Sequence, residues 1–175
     1  QSEFTETATI AYFWDSTTDG TYYFDWADNK FRVNRKNSAA DKYCKINGLN
    51  TFKNQECDTY IVDGHKYIYY PEQDECCYCC SEAHGCNMPT PSWAENAHYS
   101  GDTDFEGTHA LVWSLNTEPE TYLVETDDEH AEDRKPCLIY TLPDEEWKYK
   151  TTTFSKLVNL EEFELPAKCN MKNKC

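Results

Sequence analysis

The sequence lacks any long apolar segment. Its longest uninterrupted apolar run in 175 residues is Ile10–Trp14, whereas a helix needs about 20 apolar residues to cross a bilayer. Basic side chains are also scarce, because 16 Lys and Arg against 32 Asp and Glu give a formal charge of −16. Nucleic-acid binding requires a cationic surface that displaces counterions. The sequence therefore predicts neither a membrane span nor a nucleic-acid partner.

Recognisable catalytic motifs are absent as well. The chain contains no G-x-S-x-G, no H-E-x-x-H, no phosphate-binding loop and no dinucleotide fingerprint. Pairs of carboxylates are too frequent in so acidic a chain to indicate a glycosidase. We therefore expect no enzymatic activity and no required cofactor.

Sustained helical periodicity is missing too, whereas strand patterns rich in β-branched and aromatic residues recur along the chain. These patterns cover residues 7–14, 21–33, 58–70, 108–115, 121–126, 137–142 and 146–154. No repeat or linker divides the sequence. We predict one mainly antiparallel β domain over residues 1–175, with eight to ten strands. A cysteine-rich loop segment is expected over 71–107, and at best one short helix over 156–163.

The first hairpin, within residues 21–33, has a predicted register. Asp28 and Asn29 are taken as its two turn residues. The facing pairs are then Trp26 with Phe31, Phe24 with Val33, and Asp25 with Arg32. This register puts the apolar side chains on one face and a favourable charge pair on the other.

A second hairpin is predicted within residues 58–70, because Asp63-Gly64 is a strong turn signal. In this register Tyr60 and Val62 share a face with Tyr67 and Tyr69.

Ten cysteines are present, an even number that allows complete pairing. They are Cys44, Cys57, Cys76, Cys77, Cys79, Cys80, Cys86, Cys137, Cys169 and Cys175. The block 76–86 could indicate a zinc site or a redox site. However, it has no second ligand pair of the kind that closes a zinc tetrahedron, and no helical pattern follows it, as a redox motif would require. Disulfide bonds are therefore favoured for all ten.

Disulfides imply an oxidising compartment. Together with an N-terminal Gln1 in place of an initiator Met, they predict a processed, secreted chain. If the block is an extended strand, Cys76 and Cys80 point to one face and Cys77 and Cys79 to the other. Adjacent cysteines would then need distant partners, whose identity the sequence leaves open.

One acidic segment is similar to the start of a calcium-binding loop. Asp102, Asp104 and Glu106 alternate before Gly107, as in the first half of an EF-hand loop. The twelfth position of such a loop should be Glu, but it is Trp113, which excludes an EF-hand. Either a looser calcium site or an ordinary acidic turn before a strand remains.

Several segments, taken in order, resemble the ependymin-related family. They are DGTYYFDWADNKFRV, DGHKYIYYPEQDECCYCC, PSWAENAHYSGDTDFEGTHALVW, RKPC and FELPAKC. The resemblance spans about residues 18–169. The resemblance implies a secreted or lysosomal protein. Its expected fold is a strongly curved antiparallel half-barrel, similar to bacterial lipoprotein carriers, that encloses a hydrophobic pocket.

The resemblance also implies lipid or hydrophobic-ligand binding and calcium association, without catalysis. Cys137 and Cys169 would be framework cysteines, paired with partners among Cys44 and the block. The chain departs from the family pattern in its doubled cysteines and in Cys175, which follows the terminal motif.

The leading hypothesis is a secreted β protein that holds an apolar ligand in the concave face of its sheet. The candidate lining residues are Tyr22, Phe24, Trp26, Phe31, Val33, Tyr67, Tyr69 and Trp113. The alternative is a self-associating structural subunit of an extracellular coat, filament or matrix, suggested by the tyrosine content and the cysteines.

Overall fold

The computed structural model describes residues 1–10, 14–37, 44, 55–88, 95–117, 120–141 and 145–175. Eleven β-strands make up most of it. They are β1 (Ser2–Ile10), β2 (Trp14–Asp25), β3 (Lys30–Arg35), β4 (Cys57–Val62), β5 (His65–Tyr70), β6 (Glu75–Ser81), β7 (His98–Phe105), β8 (Thr108–Leu115), β9 (Thr121–Thr126), β10 (Pro136–Thr141) and β11 (Glu145–Tyr149).

Helical structure in the described residues is restricted to short 3₁₀ turns. These are Glu82–His84, Ala131–Asp133, Thr151–Thr153 and Leu160–Phe163. No helix among the described residues is long and apolar enough to cross a membrane. The predicted helix over 156–163 therefore shrinks to the turn at Leu160–Phe163, since Pro166 and a polar sequence prevent its extension.

All eleven strands belong to one antiparallel sheet with the order β6-β5-β4-β3-β2-β1-β11-β10-β9-β8-β7. Each strand pairs with its neighbour in sequence, except that β6 and β7 lie at opposite edges. The two meanders, β1–β6 and β7–β11, join where Phe4 on β1 pairs with Tyr149 on β11. The prediction of a mainly β, antiparallel, disulfide-linked fold with little helix is confirmed.

The segment 71–107 was expected to be a loop, but it also contains two strands. β6 and β7 lie inside it and form the two edges of the described sheet. β6 was considered only as a conditional extended strand, because a run of cysteines is not a typical strand pattern, and β7 was not predicted because it is polar and mostly exposed. Strand propensity depends on packing against neighbours, and an edge strand has few of them.

Face A of the sheet is the side that carries Tyr22 on β2. The strand pairing places on this face a core cluster whose strand residues come from β3, β4 and β11. The cluster contains Phe31, Val33, Ile61, Met88 and Tyr149, with Tyr22, Phe24, Ile139 and Trp147 packed against it. Large aromatic areas thus replace the aliphatic side chains that the composition lacks.

Face B is the opposite side and carries Arg32 and Tyr60. The C-terminal segment crosses it over β3–β6, where Leu165 and Cys169 pack against the tyrosine cluster of Tyr60, Tyr67 and Tyr78. A second small core on face B, at β8–β10, contains Ala110, Val124 and Cys137.

The register of the first hairpin differs by two residues from the predicted one. Phe24 pairs with Phe31, Tyr22 with Val33, and Asp25 with Lys30. The turn spans 26–29, and Trp26 is 49% exposed there instead of facing Phe31. Because the shift is even, each side chain on the two strands keeps its predicted face.

Arg32 consequently has a different acidic partner from the expected Asp25. Its Nη2 lies 2.9 Å from Asp58 Oδ2 on β4, and its Nη1 lies 2.7 Å from Glu162 Oε2 in the C-terminal segment. Asp58 is buried and also accepts a hydrogen bond from Asn34 Nδ2 at 2.6 Å. This network ties the C-terminal segment to face B.

The second hairpin follows its predicted register. Tyr60 pairs with Tyr67, and the turn residues Asp63 and Gly64 have φ values of 51° and 74°. These left-handed values are those of a two-residue turn that matches the twist of the strands.

Candidate functional site

An apolar cavity of about 400 Å³ opens on face A. This volume lies within the range of about 300–1,000 Å³ that is usual for small-molecule sites. Its wall comes from β2, β9, β10 and β11, and the chain start and the segment 154–156 lie at its rim. The apolar lining residues are Tyr22, Phe24, Leu123, Pro136, Ile139, Tyr149 and Phe154.

Alternation along the strands explains why these residues meet. Leu123 pairs with Ile139 across β9 and β10, and Ile139 pairs with Trp147 on β11. Directly paired residues point to the same face of a sheet. Tyr22 reaches this group from β2, since its ring centroid lies 6.5 Å from that of Tyr149. Burial raises the pKa of the Tyr22 hydroxyl, so the wall is neutral at this point.

A small cluster of hydrogen-bonded polar side chains lies on one side of the cavity. Glu125 Oε1 accepts hydrogen bonds from Arg134 Nη1 at 3.1 Å and from Trp113 Nε1 at 2.9 Å. Arg134 Nε is buried and has no hydrogen-bond acceptor among the described residues. An unsatisfied buried donor is costly, and this one belongs to a side chain that lines the cavity.

The rim is held by the N-terminus of the described chain. The α-ammonium group of Gln1 donates a hydrogen bond to the carbonyl oxygen of Ser155 at 2.7 Å, and Ser155 N donates one to the carbonyl oxygen of Gln1 at 3.0 Å. Partial burial lowers the pKa of this ammonium group. The reciprocal bonds keep Phe154 beside the opening.

The predicted lining residues divide into four groups in the structure. Tyr22 and Phe24 line the cavity. Phe31, Val33 and Trp113 share face A without lining it. Tyr67 and Tyr69 lie on face B, because Tyr67 pairs with Tyr60 and Tyr60 pairs with Arg32; Trp26 is at an exposed turn.

Sequence reasoning missed Leu123, Ile139, Tyr149, Phe154 and Arg134. The alternation in β9 and β10 could have identified Leu123 and Ile139 as inward-facing residues. No local pattern could have identified Tyr149, because its position depends on the pairing of the first strand with the last. Phe154 and Arg134 lie outside the strands and are placed by the tertiary fold alone.

The acidic calcium candidates do not converge. Gly107 N donates a hydrogen bond to Asp104 Oδ1 at 2.8 Å, so Asp104 stabilises the turn between β7 and β8. Glu106 lies 3.5 Å from Lys148, and Asp102 accepts a hydrogen bond from Tyr99. These three carboxylates are not among the groups with ligand atoms within 4.8 Å of one another, and in the described residues the acidic turn is the arrangement that forms.

Four disulfides connect eight of the ten cysteines. They are Cys44–Cys57, Cys76–Cys169, Cys77–Cys175 and Cys80–Cys86. The adjacent cysteines 76 and 77 face opposite sides of β6, and each bonds a distant C-terminal cysteine, as the alternation argument requires. The pairing of Cys169 with the block is confirmed.

Cys79 and Cys137 are free thiols, so the expectation of ten paired cysteines is wrong for these two. Cys137 is buried in the small face B core at β8–β10, away from the cysteines of β6. Burial and neighbouring carboxylates raise the pKa of its thiol to about 11. Cys79 lies beside the Cys77–Cys175 disulfide, whose formation leaves it without a bonding partner. A bulge in the pairing of β5 with β6 at this point also breaks the strict alternation that was expected of the block.

Comparison with known proteins shows distant structural likeness to solved structures. No family model matches the chain, and no curated protein matches it. Among solved structures, an uncharacterized conserved protein from Thermus thermophilus matches with 11% sequence identity and a TM-score of 0.49. The match covers 89% of this chain and 82% of that one.

Proposed function

We propose that the protein is a secreted, non-enzymatic binding protein that holds a lipid or other hydrophobic ligand in the face A cavity. The observation that carries this proposal is the cavity itself. It is an open space of about 400 Å³ lined by the large side chains of Tyr22, Phe24 and Leu123, and concave, mainly apolar sites of this size are typical of small-molecule binding.

We further propose that the sheet curves towards face A as a half-barrel. β2 and β9 are four strands apart in the sheet order, which corresponds to about 19 Å in a flat sheet. One cavity nevertheless touches Phe24 on β2 and Leu123 on β9. Curvature brings such distant strands around one ligand, in keeping with the resemblance to the ependymin-related family.

The polar side of the cavity supports a ligand with one hydrogen-bond-accepting end. Arg134 lines the cavity and its side chain is partly exposed, so its guanidinium group can donate to such an end. Glu125 holds the guanidinium group in place from the other side. The apolar part of the ligand would then lie against Leu123 and Ile139. No calcium ion is required in this arrangement.

The proposal includes entry into the secretory pathway, with delivery either to the extracellular space or to the lysosome. Four disulfides favour an oxidising compartment, since cytosolic thiols are kept reduced. The covalent links between β6 and the C-terminal segment would preserve the fold where no chaperones act.

The test is binding of the neutral fluorescent probe N-phenyl-1-naphthylamine to protein that has been extracted with organic solvent. A Leu123→Trp substitution fills the cavity and should weaken probe binding at least about tenfold, or about 1.4 kcal/mol. The matched control is Leu160→Trp, because Leu160 is 53% exposed and does not line the cavity. It should bind the probe as the unmodified chain does.

Failure of the unmodified chain to bind the probe, or equal binding by both variants, would refute the proposal. Native mass spectrometry of the freshly purified protein provides a second measurement, with bound lipid as the expected result. The alternative, an extracellular structural subunit, predicts instead concentration-dependent assembly in light scattering, for which the exposed edge strand β7 and Tyr99 are the candidate surface.

A further inference from the structure

Three sulfur atoms come together beside the edge strand β6. Cys77, Cys79 and Cys175 are the one cluster of potential ligand side chains, among the residues described, whose atoms lie within 4.8 Å of one another. Cys77 and Cys175 form a disulfide, and the Sγ atom of Cys79 lies 2.8 Å from the Sγ atom of Cys175. This separation exceeds a disulfide bond, about 2.0 Å, by only about 0.8 Å.

The backbone explains this arrangement. The C-terminal segment runs parallel to β6, where Tyr78 N donates a hydrogen bond to Asn173 O at 2.7 Å. Cys175 N donates one to Tyr78 O at 3.0 Å. Cys175 is therefore held beside Tyr78, between the two cysteines that precede and follow Tyr78 in the strand.

Both of these cysteines occupy comparable surroundings. Cys77 and Cys79 pack against the same buried cluster, which contains Cys57, Ile68 and Tyr70. A disulfide to either position would thus use a side chain that already lies on face A. The hydrogen bonds of Tyr78 to the C-terminal segment are independent of which cysteine is bonded.

We propose that Cys77, Cys79 and Cys175 form a thiol–disulfide exchange site in which Cys175 moves between two neighbouring cysteines of β6. The Cys79 thiol releases its proton to solvent, and the thiolate forms a bond to Cys175 Sγ as the Cys77–Cys175 bond breaks. Cys77 leaves as a thiolate and takes up a proton. The number of disulfides and the oxidation state do not change, so no oxidant or reductant is needed.

The local charges set the pH dependence of this exchange. Burial raises the pKa of the Cys79 thiol, and the nearby positive charge of Lys66 opposes this effect. Since the thiolate is the attacking species, the exchange rate should rise about tenfold per pH unit below that pKa. Among the other charged groups of the packed elements, Glu75 lies at the far end of β6, and the amino group of Lys174 in the C-terminal segment lies over the ring of Tyr78.

Differential alkylation measures the exchange in the complete protein. The protein is incubated at pH 6, 7 and 8 and then quenched in denaturant with N-ethylmaleimide, which marks free thiols. Reduction and labelling with deuterated N-ethylmaleimide then mark the disulfide-bonded cysteines. Fragment masses assign each label to Cys77 or to Cys79.

We call the ordinary N-ethylmaleimide the light label and its deuterated form the heavy label. The expected result is light label on Cys77 that increases with time, at a rate that rises about tenfold per pH unit. This label should disappear in Cys79→Ser and persist in Cys137→Ser, which removes the other free thiol. In Cys77→Ser, Cys79 and Cys175 should both carry the heavy label because they are bonded to each other.

Exclusively heavy label on Cys77 and exclusively light label on Cys79, at every time and pH, would overturn the proposal. This result needs no variant, so it stands even if a substituted chain does not fold. The binding of N-phenyl-1-naphthylamine to face A does not enter the outcome, so this proposal and the proposed function can fail separately.

Discussion

Two of the disulfides close nearly the same loop of the chain, and this predicts strong coupling between them. Cys76–Cys169 and Cys77–Cys175 have sequence separations of 93 and 98 residues. Once one of them has formed, the other closes a loop of only about nine residues, namely 169–175 together with 76 and 77. Their effects on stability should therefore not be additive.

The magnitudes follow from the entropy of loop closure in the unfolded chain. A loop of about 93 residues corresponds to about 4.7 kcal/mol at 25 °C, and a loop of about nine residues to about 2.6 kcal/mol. Removing either disulfide alone loses only the stabilisation that comes from closing the small loop, because the other bond still closes the large one. Removing both should lower the free energy of unfolding by about 7 kcal/mol, which exceeds the sum of the single losses by about 2 kcal/mol.

Guanidinium unfolding at about pH 5, where thiolate exchange is slow, measures these differences by linear extrapolation. The variants are Cys76→Ala/Cys169→Ala, Cys175→Ala and the combination of the three substitutions. Cys175→Ala is preferable to Cys77→Ala, because Cys79 cannot then replace the lost partner. Strictly additive losses, or a combined loss no greater than a single one, would refute the loop-closure reasoning.

Three further predictions concern the strands and the small face B core. Asp58→Ala should cost about 1.5–3 kcal/mol of unfolding free energy, because it removes one of the two carboxylates that bind the partly buried Arg32 and an acceptor of Asn34; a loss below about 1 kcal/mol in urea unfolding would contradict this. Gly64→Ala should cost about 1–2 kcal/mol, since φ is +74° there, whereas Asp63→Asn should be neutral in the same assay. Cys137 keeps its proton longer when folded, with a pKa raised from 9.0 to about 11. Its contribution to stability is therefore complete below pH 9 and lost between pH 9 and 11, so that the chain and its Cys137→Ala variant should differ in pH profile only in that window.

Local patterns were sufficient for features that depend on neighbours in sequence. The Asp63-Gly64 turn was predicted correctly because a two-residue turn needs left-handed backbone at both positions. The face of each strand residue in the first hairpin was also predicted, although the register and the position of Trp26 were not. The error of two residues arose because the turn includes Trp26 and Asp25 pairs with Lys30, which the alternating pattern alone cannot distinguish from the shorter turn.

Contacts between distant parts of the chain were beyond such patterns. The choice of Asp58 over Asp25 as partner of Arg32 depends on which strand lies next to β3. The free thiols of Cys79 and Cys137 depend on which cysteines approach each other in space. An even cysteine count permits full pairing, but it carries no information on distances.

By itself, the sequence determined the β class, the face of most strand residues, the acidic surface and the presence of disulfides. These properties follow from side-chain chemistry and from the two-residue period of a strand. Only the tertiary structure decided the pairing of β1 with β11 and the cavity on face A. It also decided the three-sulfur cluster beside β6. Each of these joins residues far apart in sequence, and such contacts are selected by the packing of the whole chain rather than by any local preference.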